Sequence, residues 1–356
     1  MPVATNTERK QSAGSLGSEN IDTDIITLPR FILESQRMHK NAKGDFSMVL
    51  SALQYAFKFI SQTIRKSELI HLIGITGDTN STGDQQKKLD VLGDEIFINA
   101  MKTSGIIRVV VSEEQEHLIL LEGNEAKYAI CCDPIDGSSN LDAGVSVGTI
   151  VSIFKILPGS EGDEKDVLRS GTEMCGACYA MYGASTHLMV TMGQGVDGFT
   201  LDNNLGEFIL TYPNLQIPAN RAIYSVNEGN SPYWVESTRS FIESLRTHKV
   251  DPVTGAETKA YSARYVGSMV ADVHRTFLYG GIFTYPSDKY HPNGKLRLLY
   301  EAFPMAMLVE QGGGKAVDDH GVRILDLKPT HIHDKTSIWI GSPNEVDKYL
   351  MHIGKL

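Results

Sequence analysis

The chain has 356 residues, 41% of them hydrophobic and 21% charged, with a formal net charge of −10. That length exceeds one typical core, so two domains or sub-domains are expected, with the composition of an ordinary soluble globular protein. The acidic balance argues against broad contact with nucleic acid or anionic membrane, so any phosphate must be met by local cations, helix N-termini or metal ions.

Residues 1–27 read as a flexible N-terminal arm; the first 20 are polar and hold no apolar core for a secretory signal. No apolar run approaches transmembrane length. Over 46–65, Val49, Leu53, Ala56, Phe57, Ile60 and Ile64 recur at helical spacing and predict an amphipathic helix. Residues 74–88, rich in Gly, Thr, Ser, Asn and Asp, predict a mobile loop, and 89–103 return to a helical pattern. A short buried strand over 108–111 runs straight into Ser112-Glu113-Glu114. A second, over 128–132, runs into Asp133-Pro134-Ile135-Asp136-Gly137-Ser138-Ser139-Asn140. Residues 147–156 and 188–192 read as further strands, and 199–201 with 208–210 as a hairpin. The chain punctuates between Pro213 and Asn220, which places a boundary between residues 28–215 and residues 216–356. A strand over 223–226 follows, then a helix over 266–278 stopped by Gly280-Gly281, and strands over 282–285 and 337–340. Residues 296–311 predict a helix around Pro304, ended by Gly312-Gly313-Gly314. The fold class is α/β (α+β), with helices covering sheets in layers.

The acids carry the chemistry. Glu113 and Glu114 lie at the end of one strand, Asp133 and Asp136 at the end of another, and Asp84 and Asp90 in or just after the predicted loop. Strand ends in an open α/β sheet converge on a crevice where ligands bind. Carboxylates held together repel, and a divalent cation compensates them. Oxygen-only donors, with no Cys or His pattern, favour Mg²⁺ or Mn²⁺ over zinc. Pro134 fixes the backbone between the two aspartates, so the Ile135 carbonyl can serve as a neutral ligand. Gly137-Ser138-Ser139 offers backbone N–H groups suited to a phosphate. An isolated Asp-Pro turn would be read as solvated acids; the second acidic strand end and the serines favour a metal site.

Asp90, then Glu113-Glu114, then Asp133-Pro134-Ile135-Asp136-Gly137-Ser138 resembles the signature of the lithium-sensitive, magnesium-dependent phosphatases, which inositol monophosphatases and fructose-1,6-bisphosphatases share. Further runs narrow the resemblance to the fructose-1,6-bisphosphatase family of the common eukaryotic class. They are Thr82-Gly83-Asp84-Gln85, Lys87-Lys88-Leu89-Asp90, Ser225-Val226-Asn227-Glu228-Gly229, the stretch 264–275 from Arg264-Tyr265 to His274-Arg275, and Pro292-Asn293-Gly294-Lys295-Leu296-Arg297-Leu298-Leu299-Tyr300-Glu301. The resemblance runs from Leu28 to the end. It implies a layered αβαβα sugar-phosphatase fold and hydrolysis of fructose 1,6-bisphosphate in gluconeogenesis. It implies Mg²⁺, with Mn²⁺ as substitute, on Glu113, Asp133, Asp136, Glu301 and the Ile135 carbonyl, joined by Asp84. Glu114 and Asp90 would polarise the attacking water. Gly137, Ser138 and Ser139 would hold the 1-phosphate. Asn227, Tyr265, Tyr285 and Lys295 would grip the 6-phosphate, with Arg264 arriving from a neighbouring subunit of a homotetramer, and Met269 would line the sugar.

The family is commonly inhibited by AMP. The matching positions are Lys43, Gly44, Asp45, Ser47, Lys127, Tyr128 and Lys155, three of them of a different type from the usual residues. Lys155 loses the bidentate geometry of Arg. Asn230 stands where the family often has a Tyr on the 6-phosphate. Cys175-Gly176-Ala177-Cys178 spells C-x-x-C without a second pair or His cluster, and reads as core or hinge rather than metal or redox site. So few cysteines fit a reducing compartment. His331 and His333 read as solvated, and Tyr233-Trp234 as core packing. The closing Gly354-Lys355-Leu356 is either a peroxisomal address with Gly for Ser or a chance basic tail, so the compartment is cytoplasmic or peroxisome-type. An inositol phosphatase would not need the second phosphate site of 264–301. A silent sensor would not need every catalytic carboxylate, and an ion buffer would not need the remote Lys, Arg and Tyr.

Overall fold

The computed structural model describes residues 24–38, 42–67, 75–79, 85–123, 126–250 and 257–356. Seven α-helices lie among them: α1 (Leu28–Met38), α2 (Asp45–Lys66), α3 (Lys88–Ser104), α4 (Glu236–Arg246), α5 (Met269–Tyr279), α6 (Phe303–Gln311) and α7 (Pro343–His352).

An eight-stranded sheet runs in the order Glu207–Tyr212, Asp197–Asp202, Thr186–Thr191, Gly176–Tyr182, Val147–Lys155, Tyr128–Asp136, Ile107–Ser112, Ile119–Leu120. Its pairs are antiparallel except Ile107–Ser112 with Tyr128–Asp136, which are parallel. A five-stranded sheet runs Ser262–Ala263, Ile223–Ser225, Ile282–Tyr285, Ile338–Gly341, Lys315–Val317.

Neighbouring strand residues point to opposite faces, and both faces of these strands are apolar. Val110, Ile130, Cys132 and Val151 pack under Val49, Leu53, Phe57 of α2 and Phe97, Met101 of α3. Val109, Val111, Cys131 and Ile150 pack on the other side against Val270, Val273 and Phe277 of α5 and against α6. That same cluster takes in Phe283, Ile338 and Ile340 of the smaller sheet. The smaller sheet's far face, with Tyr224, Ile282 and Trp339, is closed by Phe241 and Ile242 of α4 and Val346 and Tyr349 of α7. The layers therefore read α-β-α-β-α, as the resemblance implies. Each fully buried Val, Leu or Phe contributes roughly 1.5–3 kcal/mol, so neither face of either sheet could stay open to water. The middle layer explains α6: every residue from Phe303 to Val309 is buried, as expected of a helix that is apolar all round.

Several sequence expectations change. Helices α1, α4 and α7 and the strands Gly176–Tyr182 and Lys315–Val317 lie outside the elements the sequence predicts. The loop predicted over 74–88 contains an antiparallel pair, Ile75–Thr79 with Gln85–Lys87, and Lys88 already opens α3. The single helix expected over 296–311 is a strand Leu296–Arg297 paired with Lys335–Thr336, a π-turn Leu298–Ala302, and then α6. Pro304 lies in the first turn of α6, where its missing N–H costs nothing. The helix expected from 266 begins at Met269, because the N–H groups of Val266 and Gly267 are taken by the Asp272 carboxylate.

Candidate active site

Parallel pairing of Ile107–Ser112 with Tyr128–Asp136 sets Val111 beside Cys131 and Ser112 beside Cys132. Both C-terminal ends therefore emerge at one edge. The Glu113 N–H donates to the Cys132 carbonyl at 3.1 Å, which carries the alignment one residue past the strand. The acidic turn is braced from α3: Ser112 Oγ donates to Asp94 Oδ1 at 2.6 Å, and Gln115 Nε2 donates to Asp94 Oδ2. Beyond Cys132 the ladder to Val147–Lys155 shifts register between Asp133 and Asp136. The Pro134 carbonyl there accepts from Thr149 Oγ1 at 2.7 Å.

Asp133, Asp136 and Glu301 each bring a carboxylate oxygen to within 4.8 Å of the others, and all three are buried. Glu301 arrives from the π-turn and accepts the Arg297 N–H at 2.5 Å. Asp136 Oδ2 accepts the Val270 N–H at 2.8 Å and Ser268 Oγ at 3.4 Å, both at the N-terminus of α5, the positive end of that helix. Burial, with Glu113 adding repulsion, pushes the Asp133 and Glu301 carboxyls well above the usual carboxylate range. For Asp136 burial lifts the pKa to about 7 against those two donors. The buried Arg297 guanidinium has Nη2 at 3.7 Å from Glu113 Oε1. One guanidinium cannot balance four carboxylates. Buried, oxygen-only and underbalanced, the set fits a hard divalent cation. No group of three or more His, Cys or acidic residues besides these meets the same spacing among the described residues.

These carboxylates floor a cavity of 390 Å³. Asp90, Glu113, Glu114, Ile135, Gly137, Ser138 and Ser139 line the same cavity, as do Tyr265, Met269, Tyr285 and Lys295. Gly137 has φ 78°, and a Cβ there would meet Ser268 Oγ at 2.6 Å, so glycine is required where the strand end passes α5. Two predicted residues lie elsewhere. Asn227 is half-buried, and its Oδ1 accepts the Gly229 N–H at 3.1 Å. Arg264 is exposed, with Nη1 donating to the Ala263 carbonyl at 2.8 Å. Neither lines the cavity. Asp84 lies outside the described residues. Arg297, Ser268 and Asp272 lie inside the runs that carry the resemblance but have no role assigned from the sequence, and Asp94 lies outside them. The burial of an acid or guanidinium gives no periodic or spacing signal.

A second cavity, of 780 Å³, is lined by Lys43, Gly44, Asp45, Ser47, Tyr128 and Lys155 at the start of α2. Lys127 lines a neighbouring hollow and pairs with Asp45 at 2.8 Å. Ser47 Oγ donates to Gln36 Oε1 at 2.9 Å.

His333 is only partly solvated. It is half-buried, accepts the Tyr300 hydroxyl on Nδ1 at 2.7 Å and donates from Nε2 to the Glu116 carbonyl at 3.3 Å, and burial lowers its pKa. His331 is exposed. Trp234 is core, but Tyr233 is 42% exposed and packs edge-on against Tyr290. All four thiols are free. Burial raises each, Cys175 to about 11, which leaves little thiolate for redox chemistry.

The family model described as fructose-1-6-bisphosphatase, N-terminal domain, matches residues 26–213, and that described as fructose-1-6-bisphosphatase, C-terminal domain, matches residues 217–353. The fructose-1,6-bisphosphatase of Saccharomyces cerevisiae is 67% identical over 355 residues, covering 100% of this chain and 99% of its own. The cytosolic fructose-1,6-bisphosphatase of Brassica napus is 49% identical over 326 residues, covering 91% of this chain and 94% of its own. The holo crystal structure of Leishmania major fructose-1,6-bisphosphatase superposes with a TM-score of 0.86 at 45% identity, covering 92% of this chain and 98% of that one.

Proposed function

The chain belongs to the fructose-1,6-bisphosphatase family, phosphatases that hydrolyse fructose bisphosphate, and on that premise we propose how its cavity performs the reaction. The 1-phosphate of fructose 1,6-bisphosphate leaves as inorganic phosphate, and fructose 6-phosphate remains. Glu113, Asp133, Asp136, Glu301 and the Ile135 carbonyl would hold Mg²⁺, or Mn²⁺ in its place, with Asp84 completing the set. A bound divalent cation supplies neutralisation of the phosphate and of the leaving oxygen. Glu114 and Asp90 orient the attacking water and take its proton. Gly137, Ser138 and Ser139 hold the reacting phosphate. Tyr265, Tyr285 and Lys295 hold the remote 6-phosphate, Met269 lies against the sugar, and Asn227 closes on the bound ligand. Binding energy from the remote phosphate then orients the reacting one. Arg264, exposed and off this chain's own cavity, serves a neighbouring copy in a homotetramer.

The observation that carries the reading is the buried carboxylate triad sharing one cavity with Lys295, Tyr265 and Tyr285. The cavity at the start of α2 supports AMP as an inhibitor, and the family's chemistry supports a place in gluconeogenesis. Residues 28–215 would act as the metal- and AMP-binding domain and residues 216–356 as the sugar-bisphosphate domain. Relatives titled cytosolic support a cytosolic enzyme over the peroxisomal reading of the Gly-Lys-Leu tail.

Phosphate release from fructose 1,6-bisphosphate tests the reaction. Release should require Mg²⁺ or Mn²⁺, stop with a chelator, and fall about 100-fold or more in Asp136→Asn. No release by the folded wild type over a range of either ion would sink the substrate assignment. Full activity in Asp136→Asn would sink the site.

A further inference from the structure

We propose that Asp272, together with Arg275, is the positioning residue that holds the segment from Arg264 to Gly267 against the substrate cavity, and so sets the enzyme's preference for a bisphosphate. The proposal rests on reading Tyr265 as a contact to the remote phosphate.

Asp272 sits in the first turn of α5 and is 0% exposed. Its Oδ1 accepts Ser225 Oγ at 2.8 Å and Arg275 Nη2 at 2.8 Å. The Val266 N–H reaches both carboxylate oxygens, at 3.0 and 3.1 Å, and the Gly267 N–H reaches Oδ2 at 3.0 Å. A carboxylate buried this deeply is unfavourable unless donors and a counter-charge surround it, and an apolar residue would fill the space at lower cost. The partners show what the carboxylate does. None is an N–H of α5; they belong to the preceding segment, to the end of the Ile223–Ser225 strand, and to Arg275 one turn on.

The same group of contacts ties the segment at both ends. Arg275 Nη2 also donates to the Arg264 carbonyl at 2.5 Å, and the Arg264 N–H donates to the Tyr224 carbonyl at 2.8 Å. At the other end the Gly267 carbonyl accepts Asn140 Nδ2 at 3.0 Å, and Gly267 has φ 88°. Tyr265 lies between these ties, 39% exposed, on the cavity wall. Two residues before Asp272, the Val270 N–H donates to Asp136 of the carboxylate triad. The first turn of α5 thus bonds both Asp136 of the carboxylate triad and the segment that carries Tyr265.

The test uses the full chain and two substrates, fructose 1,6-bisphosphate and fructose 1-phosphate, which lacks the remote phosphate. In Asp272→Asn, kcat/KM for the bisphosphate should fall about tenfold or more beyond any fall for the monophosphate, chiefly through KM. Ser225→Ala and Arg275→Gln should move the same ratio in the same direction by about two- to tenfold. They decide the matter if Asp272→Asn does not fold. Equal losses on both substrates, or an unchanged ratio in the two milder variants, would overturn the proposal and leave Asp272 a core anchor. A wild type that does not prefer the bisphosphate would instead sink the remote-phosphate reading itself.

Discussion

Asp94 lies one helical turn beyond Asp90 on α3, and its carboxylate accepts from Ser112 before the Glu113-Glu114 pair and from Gln115 after it. Burial raises its pKa while the two hydrogen bonds oppose the rise. Asp94→Ala would strand both donors, one of them buried. Stability should fall by roughly 1–3 kcal/mol in urea unfolding. The Mg²⁺ concentration for half-maximal activity should rise, because the turn that presents Glu113 loses its brace, while KM for the sugar moves less. An unchanged metal requirement would reduce Asp94 to packing. Such a residue is silent in a sequence: its neighbours announce the metal site, but only the fold shows that it spans them. Glu113, Asp133 and Asp136 were legible for the opposite reason, since each directly follows or ends an apolar strand.

Among the elements, α5 links the carboxylate triad to the segment before it and to the large sheet. Its N-terminus holds Asp136 and its first turn holds Asp272, while His274 faces the large sheet. His274 Nδ1 accepts the Tyr179 hydroxyl at 2.9 Å, and its ring stacks on His187 at 5.0 Å. His187 Nδ1 in turn meets Thr200 Oγ1 at 3.2 Å, and its ring tilts against Tyr212. Burial, with His187 adding repulsion, lowers the His274 pKa to about 3, and burial lowers that of His187 too. The unfolded chain binds these protons near pH 6.5, so the histidine pair contributes a loss of stability as pH falls from there toward the lower folded value. The Tm of His274→Gln minus that of wild type should therefore become more positive as pH falls from about 6.5 to 4; a difference independent of pH would refute the assignment. The segment holding Lys295 is fixed differently. Gly294 has φ 84°, and a Cβ there would lie 2.1 Å from the Thr336 carbonyl carbon and the Ser337 nitrogen. Gly294→Ala should cost about 3 kcal/mol or more, seen as loss of the cooperative thermal transition or a Tm lowered by many degrees. A small Tm change would mean that the two backbones part easily.

At the scale of the whole molecule, the carboxylate triad ties stability to pH and to a cation. Asp136 has a folded pKa of about 7, above the unfolded value of about 4. The folded state therefore holds more protons across that window, and its stability declines as pH rises through it. Asp133 and Glu301 shift in the same direction. After chelation the Tm should be lower at pH 8 than at pH 5.5, and Mg²⁺ should raise it more at pH 8, where the site is ionised. Calorimetry with and without chelator checks both. A Mg²⁺ effect independent of pH would mean that the ion binds elsewhere.

The sequence by itself determined the family, through long motifs in order. Apolar strands running into acids favour a divalent-cation site. The mixture of helices and strands also made a layered architecture legible, because a strand apolar on both faces has to be covered twice, and the resemblance implied its αβαβα order. Tertiary structure alone decided which distant residues meet. Glu301, Lys295 and Tyr265 lie more than 120 residues from Asp136 in the chain. They reach it because α5 and α6 are pressed between two sheets. It also decided that Asn227 and Arg264 lie off the cavity of their own chain, that His333 is half-buried, and that 296–311 opens as a short strand and a π-turn before α6 begins at Phe303. Periodicity records which side of an element is buried. It carries no record of what that side is buried against, and the energy of the site resides in those contacts.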